Sequence, residues 1–491
     1  MKTLIIGGGI SGLAAGIYGQ LSGMDCEIFE RNPHAGGNLT GWERKGCTVD
    51  NCIHWLCGTL PGNATNRMWR EMGLLDDTTP VHRDVCFYES ERGGERAALL
   101  PDLDETEERL IRLSPEDAPE IRRFCDTVRV LIPFAGSGTL PQKVMALPHI
   151  PDLLRYRGMN LYHLATRFRH PLLRLLVTDY IGGEFSAIAL LCAYAAYASG
   201  NGSVPAGGSL AAAKRVSDRF CALGGTLHTG TGVSKILLRD DTACGILTED
   251  GDEIPGDRII CACDPYVTFG RLLPRELLPA AFARRLEDPD TPVFSSIHAA
   301  YLCDRDALPE AFGTRVIDAP SFSVRSGGRL PVKEYSREPG FAPRGKVMLQ
   351  TLVFQTRQEC ADWIALSVNR TAYRRRKEEI SARMGAAILD AMPSLAKGFE
   401  ILDCWTPATY HRYFGAHCGA YLSNAFTPSA SLRTYPARIP GVKNCILATQ
   451  WQHSPGGLPV AAACGRDAAR LAAREKHPLF RNRRAARPEL V

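Results

Sequence analysis

Lys2-Thr3-Leu4-Ile5-Ile6-Gly7-Gly8-Gly9-Ile10-Ser11-Gly12-Leu13-Ala14-Ala15-Gly16 is the stretch that decides the fold. An apolar run suited to a buried strand stops at Gly7, glycines recur at Gly7, Gly9 and Gly12, and small or apolar residues then continue at helical spacing. This is a strand, a tight turn and a helix start carrying G-x-G-x-x-G. Glycine alone lets the backbone turn so sharply, approach a pyrophosphate and pack helix on strand. Ile10 and Ser11, between the glycines, offer backbone N–H groups at the positive end of the helix. Glu30 ends the apolar stretch Cys26-Glu27-Ile28-Phe29, about 20 residues after the glycines, where a carboxylate accepts from ribose hydroxyls. Strand, glycines, helix and acid in register predict a βαβ dinucleotide site of the NAD or FAD kind rather than the NADP kind.

The residues after Glu30 distinguish NAD from FAD. Arg31-Asn32-Pro33-His34-Ala35-Gly36-Gly37-Asn38-Leu39 adds a second glycine pair for which an NAD-dependent enzyme has no use. Glu-x-x-x-x-x-Gly-Gly resembles the extended FAD motif of flavoprotein oxidoreductases of the amine oxidase and phytoene desaturase superfamily, with Asn38 where those proteins usually carry Arg. Farther along, Asn444-Cys445-Ile446-Leu447-Ala448-Thr449-Gln450-Trp451 reads as a strand, and Ser454-Pro455-Gly456-Gly457-Leu458-Pro459 leads into a helix from Val460 to Ala473. This resembles the superfamily's C-terminal flavin motif, with Thr449 and Gln450 where relatives place a glycine and commonly an acid. Val49-Asp50-Asn51-Cys52-Ile53-His54-Trp55-Leu56 and Thr406-Pro407-Ala408-Thr409-Tyr410-His411-Arg412-Tyr413 look like segments of the bacterial phytoene desaturase and carotenoid isomerase branch. The resemblance implies FAD as cofactor, held by Gly7, Gly9, Ile10, Ser11, Gly12, Glu30, Arg31, Gly36, Gly37, Asn38 and Leu39, by Val233 at the adenine end, and by Thr449, Gln450, Gly456, Gly457 and Leu458.

The chain has 491 residues, too many for one simple core. Its 45% hydrophobic and 23% charged residues are ordinary globular composition. Lys plus Arg at 58 against Asp plus Glu at 53 gives +5, too mild a balance to point to nucleic acid. The 17 cysteines are scattered without Cys-x-x-Cys pairs and read as reduced cytosolic thiols rather than a disulfide framework or a metal site. The apolar N-terminal run lacks a basic flank and a cleavage pattern, so it reads as a buried strand and not as a signal peptide.

The expected fold class is α/β, or α+β taken overall: a Rossmann-type FAD-binding domain with a β-meander, interleaved with a mixed sheet-and-helix substrate domain. The FAD-binding domain is expected from residues 1–75, 200–265 and 430–491, and the substrate domain from 76–199 and 266–429. Glu105 to Leu113 and Glu116 to Leu131 are helical in pattern. Ser209 is placed to cap a helix from Leu210 to Leu223, where Gly224-Gly225 stops it. Strands near Val233–Leu238, Ala243–Thr248 and Arg258–Ala262 are predicted to form the meander. A strand at Lys346–Phe354 and a helix at Arg374–Met392 are predicted farther on. Phe185 to Ala198 is uncharged for 14 residues, short of the roughly 20 a bilayer requires, and reads as a buried helix. Residues 153–175 carry Arg155, Arg157, Arg167, Arg169 and Arg174 among Leu, Tyr and Phe with no acid. Such a basic amphipathic stretch suits peripheral contact with anionic lipid, and equally a solvated helix face. The basic tail around Arg481-Asn482-Arg483-Arg484 and Arg487 is expected to be a disordered end. The location expected is cytoplasmic, or peripheral to the inner face of a membrane; the oligomeric state is not specified.

Flavin carries the difficult chemistry, so the protein needs little acid–base machinery. None is evident: there is no nucleophile elbow and no recognisable catalytic dyad. The resemblance puts His54 and Trp55 close to the flavin and Tyr410, Arg412, Tyr413 and Tyr421 along the cavity; His54, Trp55, Tyr410 and Arg412 are the catalytic candidates. It points to a lipophilic substrate, a polyene or isoprenoid such as a carotenoid or retinoid, with desaturation, saturation and isomerisation all open. Three other readings stand beside this one. A flavin amine oxidase would share both FAD motifs. A flavin disulfide reductase is suggested by the spacing of Cys47 and Cys52, but the chain lacks a second G-x-G-x-x-G, since Gly200-Asn201-Gly202 and Gly136-Ser137-Gly138 lack the third glycine. A Rab-escort-type protein would bind prenyl lipid without redox chemistry, against which the intact Gly7, Gly9, Gly12 and Glu30 argue.

Overall fold

The computed structural model of the chain describes residues 1–135, 147–289, 291–430 and 434–474. The sequence features at Gly136-Ser137-Gly138 and at Arg481–Arg487 lie outside them. The chain divides into two compact units: the first contains Met1–Gly37, Ala213–Glu287 and the C-terminal segment, the second Asn38–Ala212 and Asp288–Leu432.

The first unit is built on a five-stranded parallel sheet, in the order Thr226–Thr229, Asp25–Glu30, Lys2–Ile6, Arg258–Cys261, Cys445–Leu447. Leu4, Ile5, Ile28, Ile259 and Ile260 are completely buried, as expected for parallel strands covered on both faces. Helices Ile10–Leu21 and Leu458–Arg474 pack against each other. Their approach is set by a small residue, since a Cβ on Gly465 would lie 2.0 Å from the Ser11 carbonyl oxygen; Gly16 likewise makes room for the Phe220 ring of helix Gly208–Ala222, 2.6 Å from where its Cβ would be. The meander consists of Val233–Arg239, Thr242–Thr248 and Glu253–Pro255. Arg258–Cys261, expected as its third strand, instead pairs with Lys2–Ile6. Its unbroken apolar run Ile259-Ile260-Cys261 is buried on both faces, which a solvent-facing meander cannot provide.

The second unit holds a seven-stranded mixed sheet in the order Glu400–Trp405, Ser296–Asp304, Lys346–Phe354, Arg329–Glu334, Thr314–Asp318, Tyr88–Arg92, Glu95–Leu99. Its pairs are antiparallel except between Thr314–Asp318 and Tyr88–Arg92. Strand Ser296–Asp304 shows how the sheet is covered. Ile297, Ala299, Tyr301 and Cys303 pack with Met384 and Ile388 of helix Arg370–Ala391. Ala300 and Leu302, on the opposite pleat, pack with Cys47 and Val49 of the hairpin Gly41–Arg44/Cys47–Asp50, and with Trp405 and Tyr410. Residues 38–75 were expected with the nucleotide-binding domain. The structure puts the first division at Gly37/Asn38 because this hairpin buries its apolar side in the second unit's core.

A helical layer completes the second unit: Leu103–Leu113, Ala118–Ala135, Ile150–Arg157, Leu161–Ala165, Pro171–Thr178 and Ala187–Ala198 share one apolar core with Phe87, Tyr88 and Phe294. Helix Ala187–Ala198, from the uncharged run, lies in that core. No helix among the described residues is long and apolar enough to cross a membrane. The basic segment 153–175 is not one amphipathic helix. Asn160 and Pro171 start new helices within it, and its leucines Leu161, Leu164, Leu172 and Leu173 face inward. Two of its arginines are held by the protein's own acids, Arg167 by Glu120 at 3.6 Å and Arg169 by Glu116 at 2.9 Å.

Candidate functional site

The turn Gly7–Gly12 has the geometry its sequence predicts. Gly7 sits at φ +100°, and a Cβ on Gly12 would lie 1.9 Å from the Gly7 carbonyl oxygen. Gly9 caps the helix with no side-chain bond, leaving the first-turn amides, including those of Ile10 and Ser11, at the positive helix end. The second glycine pair rests directly on this turn. The Gly36 N–H donates to the Gly8 carbonyl at 2.8 Å, and a Cβ on Gly37, itself at φ +59°, would come within 3.0 Å of Gly9 Cα. At Gly9, Gly12 and Gly37 the cradle is therefore walled by backbone.

Glu30 is buried at the C-terminal end of its strand. One carboxylate oxygen accepts from the Gly8 N–H at 2.7 Å and the other from Asn32 N at 2.8 Å and Asn32 Nδ2 at 2.7 Å. It thus fixes the turn while its remaining lone pairs stay available to ribose hydroxyls. Thr231 N–H donates to the Glu30 carbonyl, which brings the start of strand Val233–Arg239, and with it Val233, beside the acid. Arg31 is exposed. At the C-terminal motif, the Ser11 hydroxyl donates to the Ala448 carbonyl at 2.6 Å. Thr449 Oγ accepts from Trp451 N–H at 3.4 Å, and Gln450 Oε1 accepts from Gly457 N–H at 2.7 Å. Thr449 and Gln450 therefore brace the turn that carries Gly456 and Gly457 into the helix beginning at Leu458.

Asn38 and Leu39 fall in the second unit. Asn38 Nδ2 donates to the Tyr421 carbonyl at 3.3 Å, while its Oδ1 is buried without a partner. Such an orphaned acceptor is the feature a bound hydroxyl or N–H would satisfy. The Leu39 side chain is fully buried. Within the first unit, a glycine cradle and a positioned acid fit a flavin dinucleotide.

The second unit also gathers a cluster of neutral polar aromatics. Tyr410 donates to Asn51 Oδ1 at 3.0 Å and accepts from Trp405 Nε1 at 3.0 Å. His298 stacks on Trp405 with ring centroids 4.9 Å apart, and its Nε2 lies 2.7 Å from Ser296 Oγ, which bonds the Tyr421 hydroxyl at 3.2 Å. Trp55 donates to the Tyr180 hydroxyl at 2.8 Å. Burial, reinforced by the Lys333 ammonium and opposed by Asp84, pushes His54 down to about 4. Burial and the neighbouring His54 push His298 well below its ordinary value. Burial raises Tyr410 well above the usual phenol range and Tyr421 up to about 12. Near neutral pH the two histidines are uncharged and the two tyrosines protonated, so His54 is no imidazolium acid.

Arg412 is not part of this cluster. Tyr410 faces the core from helix Pro407–Phe414, and two residues on, at about 100° per residue, the chain points outward. Arg412 is accordingly exposed, its guanidinium 4.6 Å from the ring of the exposed Tyr413. The sequence reading missed His298, Ser296, Trp405, Asn51 and Asp50. It also misassigned Ser209, whose N–H and hydroxyl both donate to the buried Asp50 carboxylate at 2.6 Å rather than capping the helix. Burial raises Asp50 above the usual carboxylate range despite these bonds and those from Cys52 N and Ile53 N. Cys47 and Cys52 are free thiols whose ionisation burial disfavours, the reverse of a reactive redox pair. No metal-holding group of His, Cys, Asp or Glu occurs among the described residues.

Comparison with known proteins agrees with this geometry. The sequence profile of the family described as flavin containing amine oxidoreductase matches residues 10–472. Pyridine nucleotide-disulfide oxidoreductase domain-containing protein 2 of Mus musculus is 24% identical over 59% of this chain and 58% of its own length, so this chain spans little more than half of that relative. Prolycopene isomerase 1, chloroplastic, of an Oncidium hybrid cultivar is 23% identical over 85% of this chain and 74% of its own. Among solved structures, an oxidoreductase from Methanosarcina mazei shares the fold with a TM-score of 0.61 at 17% identity, covering 97% of this chain and 100% of that one. The chain therefore belongs to the flavin containing amine oxidoreductase family, with an α/β fold.

Proposed function

We propose that the flavin is FAD and that the enzyme desaturates, saturates or isomerises carbon–carbon bonds in a lipophilic polyene or isoprenoid of the carotenoid or retinoid kind. The observation that carries this reading is the uncharged cluster of His54, His298, Tyr410, Tyr421, Trp55 and Tyr180 in the second unit. A cluster of neutral rings and hydroxyls suits an apolar conjugated chain. The similarity to prolycopene isomerase over most of the chain supports the same class. FAD, when bound, accepts or donates a hydride. The protein's own share is to hold the polyene, exclude water and keep His54 and Tyr410 as neutral hydrogen-bonding groups.

The substrate class fits contact with a membrane surface at the cytoplasmic face. Ile150 and Leu154, one turn apart on helix Ile150–Arg157, are 44% and 63% exposed, with Arg155 beside them. These residues replace the whole 153–175 stretch as the contact we infer.

Flavin-loaded enzyme incubated with phytoene, carotene and retinol in liposomes, with oxidised and with reduced flavin, is expected to alter at least one polyene's absorption spectrum. Unchanged polyenes together with peroxide release from primary amines would establish the second reading, a flavin amine oxidase, which the family match supports.

A further inference from the structure

The second unit also carries an open cleft lined by a different set of residues from the aromatic cluster. Helix Arg370–Ala391 presents Arg370, Tyr373, Arg374 and Lys377 at i, i+3, i+4 and i+7, which places all four on one face. That face, strand Glu400–Trp405 at the edge of the sheet and helix Pro407–Phe414 enclose an open cleft of about 530 Å³, to which Ile401, Asp403 and Arg412 also contribute. Four cations therefore line one cleft, against two carboxylates, Glu378 and Asp403. Asp403 is already engaged by Arg44 at 2.9 Å and by Trp42 Nε1 at 2.9 Å.

This concentration is local. Arg376, on another face of the same helix, pairs with Glu379 at 2.8 Å. Arg370, Arg374 and Lys377 make no ion pair among the described residues. Like charges gathered in one concavity repel each other, and a bound anion removes that repulsion. The wall behind them is firmly set. The Tyr373 hydroxyl bonds Thr406 Oγ1 at 2.8 Å and Thr409 Oγ1 at 3.3 Å, and the Tyr373 ring packs edge-on against Trp363. Lys377 Nζ lies 5.7 Å from the Tyr373 ring centroid. Ile401, 38% exposed, gives the cleft an apolar side.

We propose that this cleft binds the phosphate group of a phosphorylated organic ligand, with Arg370, Arg374, Lys377 and Arg412 holding the anion and Tyr373 and Ile401 flanking the organic part. Guanidinium groups match phosphate oxygens bidentately, and several cations around one site favour a di-anionic group over a single carboxylate. The cleft exceeds what inorganic phosphate fills, so the ligand carries more than the anion. The same phosphate chemistry belongs to an anionic phospholipid headgroup and to a soluble phosphorylated metabolite.

The test uses the flavin-loaded protein, so that the glycine cradle is already filled. Inorganic pyrophosphate is titrated by calorimetry, and cosedimentation is measured with vesicles of phosphatidylglycerol in phosphatidylcholine and of phosphatidylcholine alone. Binding to pyrophosphate without vesicle binding indicates a soluble ligand; preference for the anionic vesicles indicates a headgroup; either supports the site. The double substitution Arg374→Glu/Lys377→Glu is expected to weaken binding about tenfold or more, since each charge-assisted bond is worth at least that factor. Arg376→Glu, with the same charge change on another face of the helix, is expected to leave it within about twofold, as a solvated surface charge does. Should the double variant lose its flavin or fail to fold, Arg374→Gln alone carries the test, with a smaller loss in the same direction. Absence of binding to both pyrophosphate and anionic vesicles, or equal losses in the Arg376→Glu control, would overturn the proposal.

Discussion

At the scale of single residues, the glycine cradle and Glu30 are constrained in different ways. A Cβ at Gly12 would overlap the Gly7 carbonyl oxygen at 1.9 Å, which backbone cannot relieve cheaply. Gly12→Ala is therefore expected to reduce flavin affinity by at least about tenfold, some 1.4 kcal/mol, read from quenching of flavin fluorescence. Glu30→Ala leaves Gly8 N–H and the Asn32 donors without their acceptor, a loss of about 1–3 kcal/mol for each buried group left unsatisfied, and is expected to weaken flavin binding comparably. His54 tests the electrostatics. Its folded pKa, lowered from 6.5 to about 4, means that the unfolded chain binds a proton that the folded protein refuses between those values. Its contribution to stability is complete above pH 6.5 and is lost as pH falls toward 4, at up to about 1.4 kcal/mol per pH unit. Urea unfolding at stepped pH is expected to show this fall, and His54→Gln to flatten it in part, with His298 and His417 contributing in the same direction. Gly7, Gly9, Gly12 and Glu30 were legible because local backbone geometry dictates them. His298 was not: it sits within an apolar strand, and only the pleat and the edge strand Glu400–Trp405 bring it to Trp405 and Ser296.

Among the elements, those whose pattern is local matched closely: Lys346–Phe354 forms the strand predicted, and Arg370–Ala391 extends the predicted helix by a turn to its cap at Asn369. Arg258–Cys261 was placed in the wrong sheet because spacing along the chain cannot reveal that Lys2–Ile6 offers it a fully buried edge. In the 153–175 segment the run of arginines showed the charge but not its partners, because the acids of Arg167 and Arg169, Glu120 and Glu116, lie more than 40 residues earlier in the chain. One tertiary pair at this scale carries a prediction. Arg329 and Asp179, both almost completely buried, meet at 2.8 Å, and Ser90 donates to the same carboxylate at 2.7 Å. Asp179→Ala leaves the guanidinium only the half-exposed Asp318 and the carbonyls of Glu91 and Val316, and is expected to lower unfolding free energy by about 3 kcal/mol. Asp179→Ala with Arg329→Met is expected to recover most of that loss in the same urea titration. Helix packing is equally testable: Gly465→Leu would push the last helix off Ser11, and a fall in melting temperature together with loss of flavin is expected.

For the whole molecule, the division into a nucleotide-binding unit and a sheet-and-helix unit came from the change in pattern along the sequence, while the boundary near Gly37 did not. The hairpin at Gly41–Asp50 continues from the glycine pair without a break in composition, and only its burial against Ala300 and Leu302 assigns it to the second unit. The redox function proposed for this protein requires that the first unit hold FAD through its glycine cradle and Glu30. The decisive measurement is the cofactor content of the purified chain, by visible spectrum and mass spectrometry after gel filtration in the presence of added FAD. Flavin absorption with close to one FAD per chain is expected, and its loss in Gly12→Ala; a colourless protein that retains no FAD would contradict the assignment.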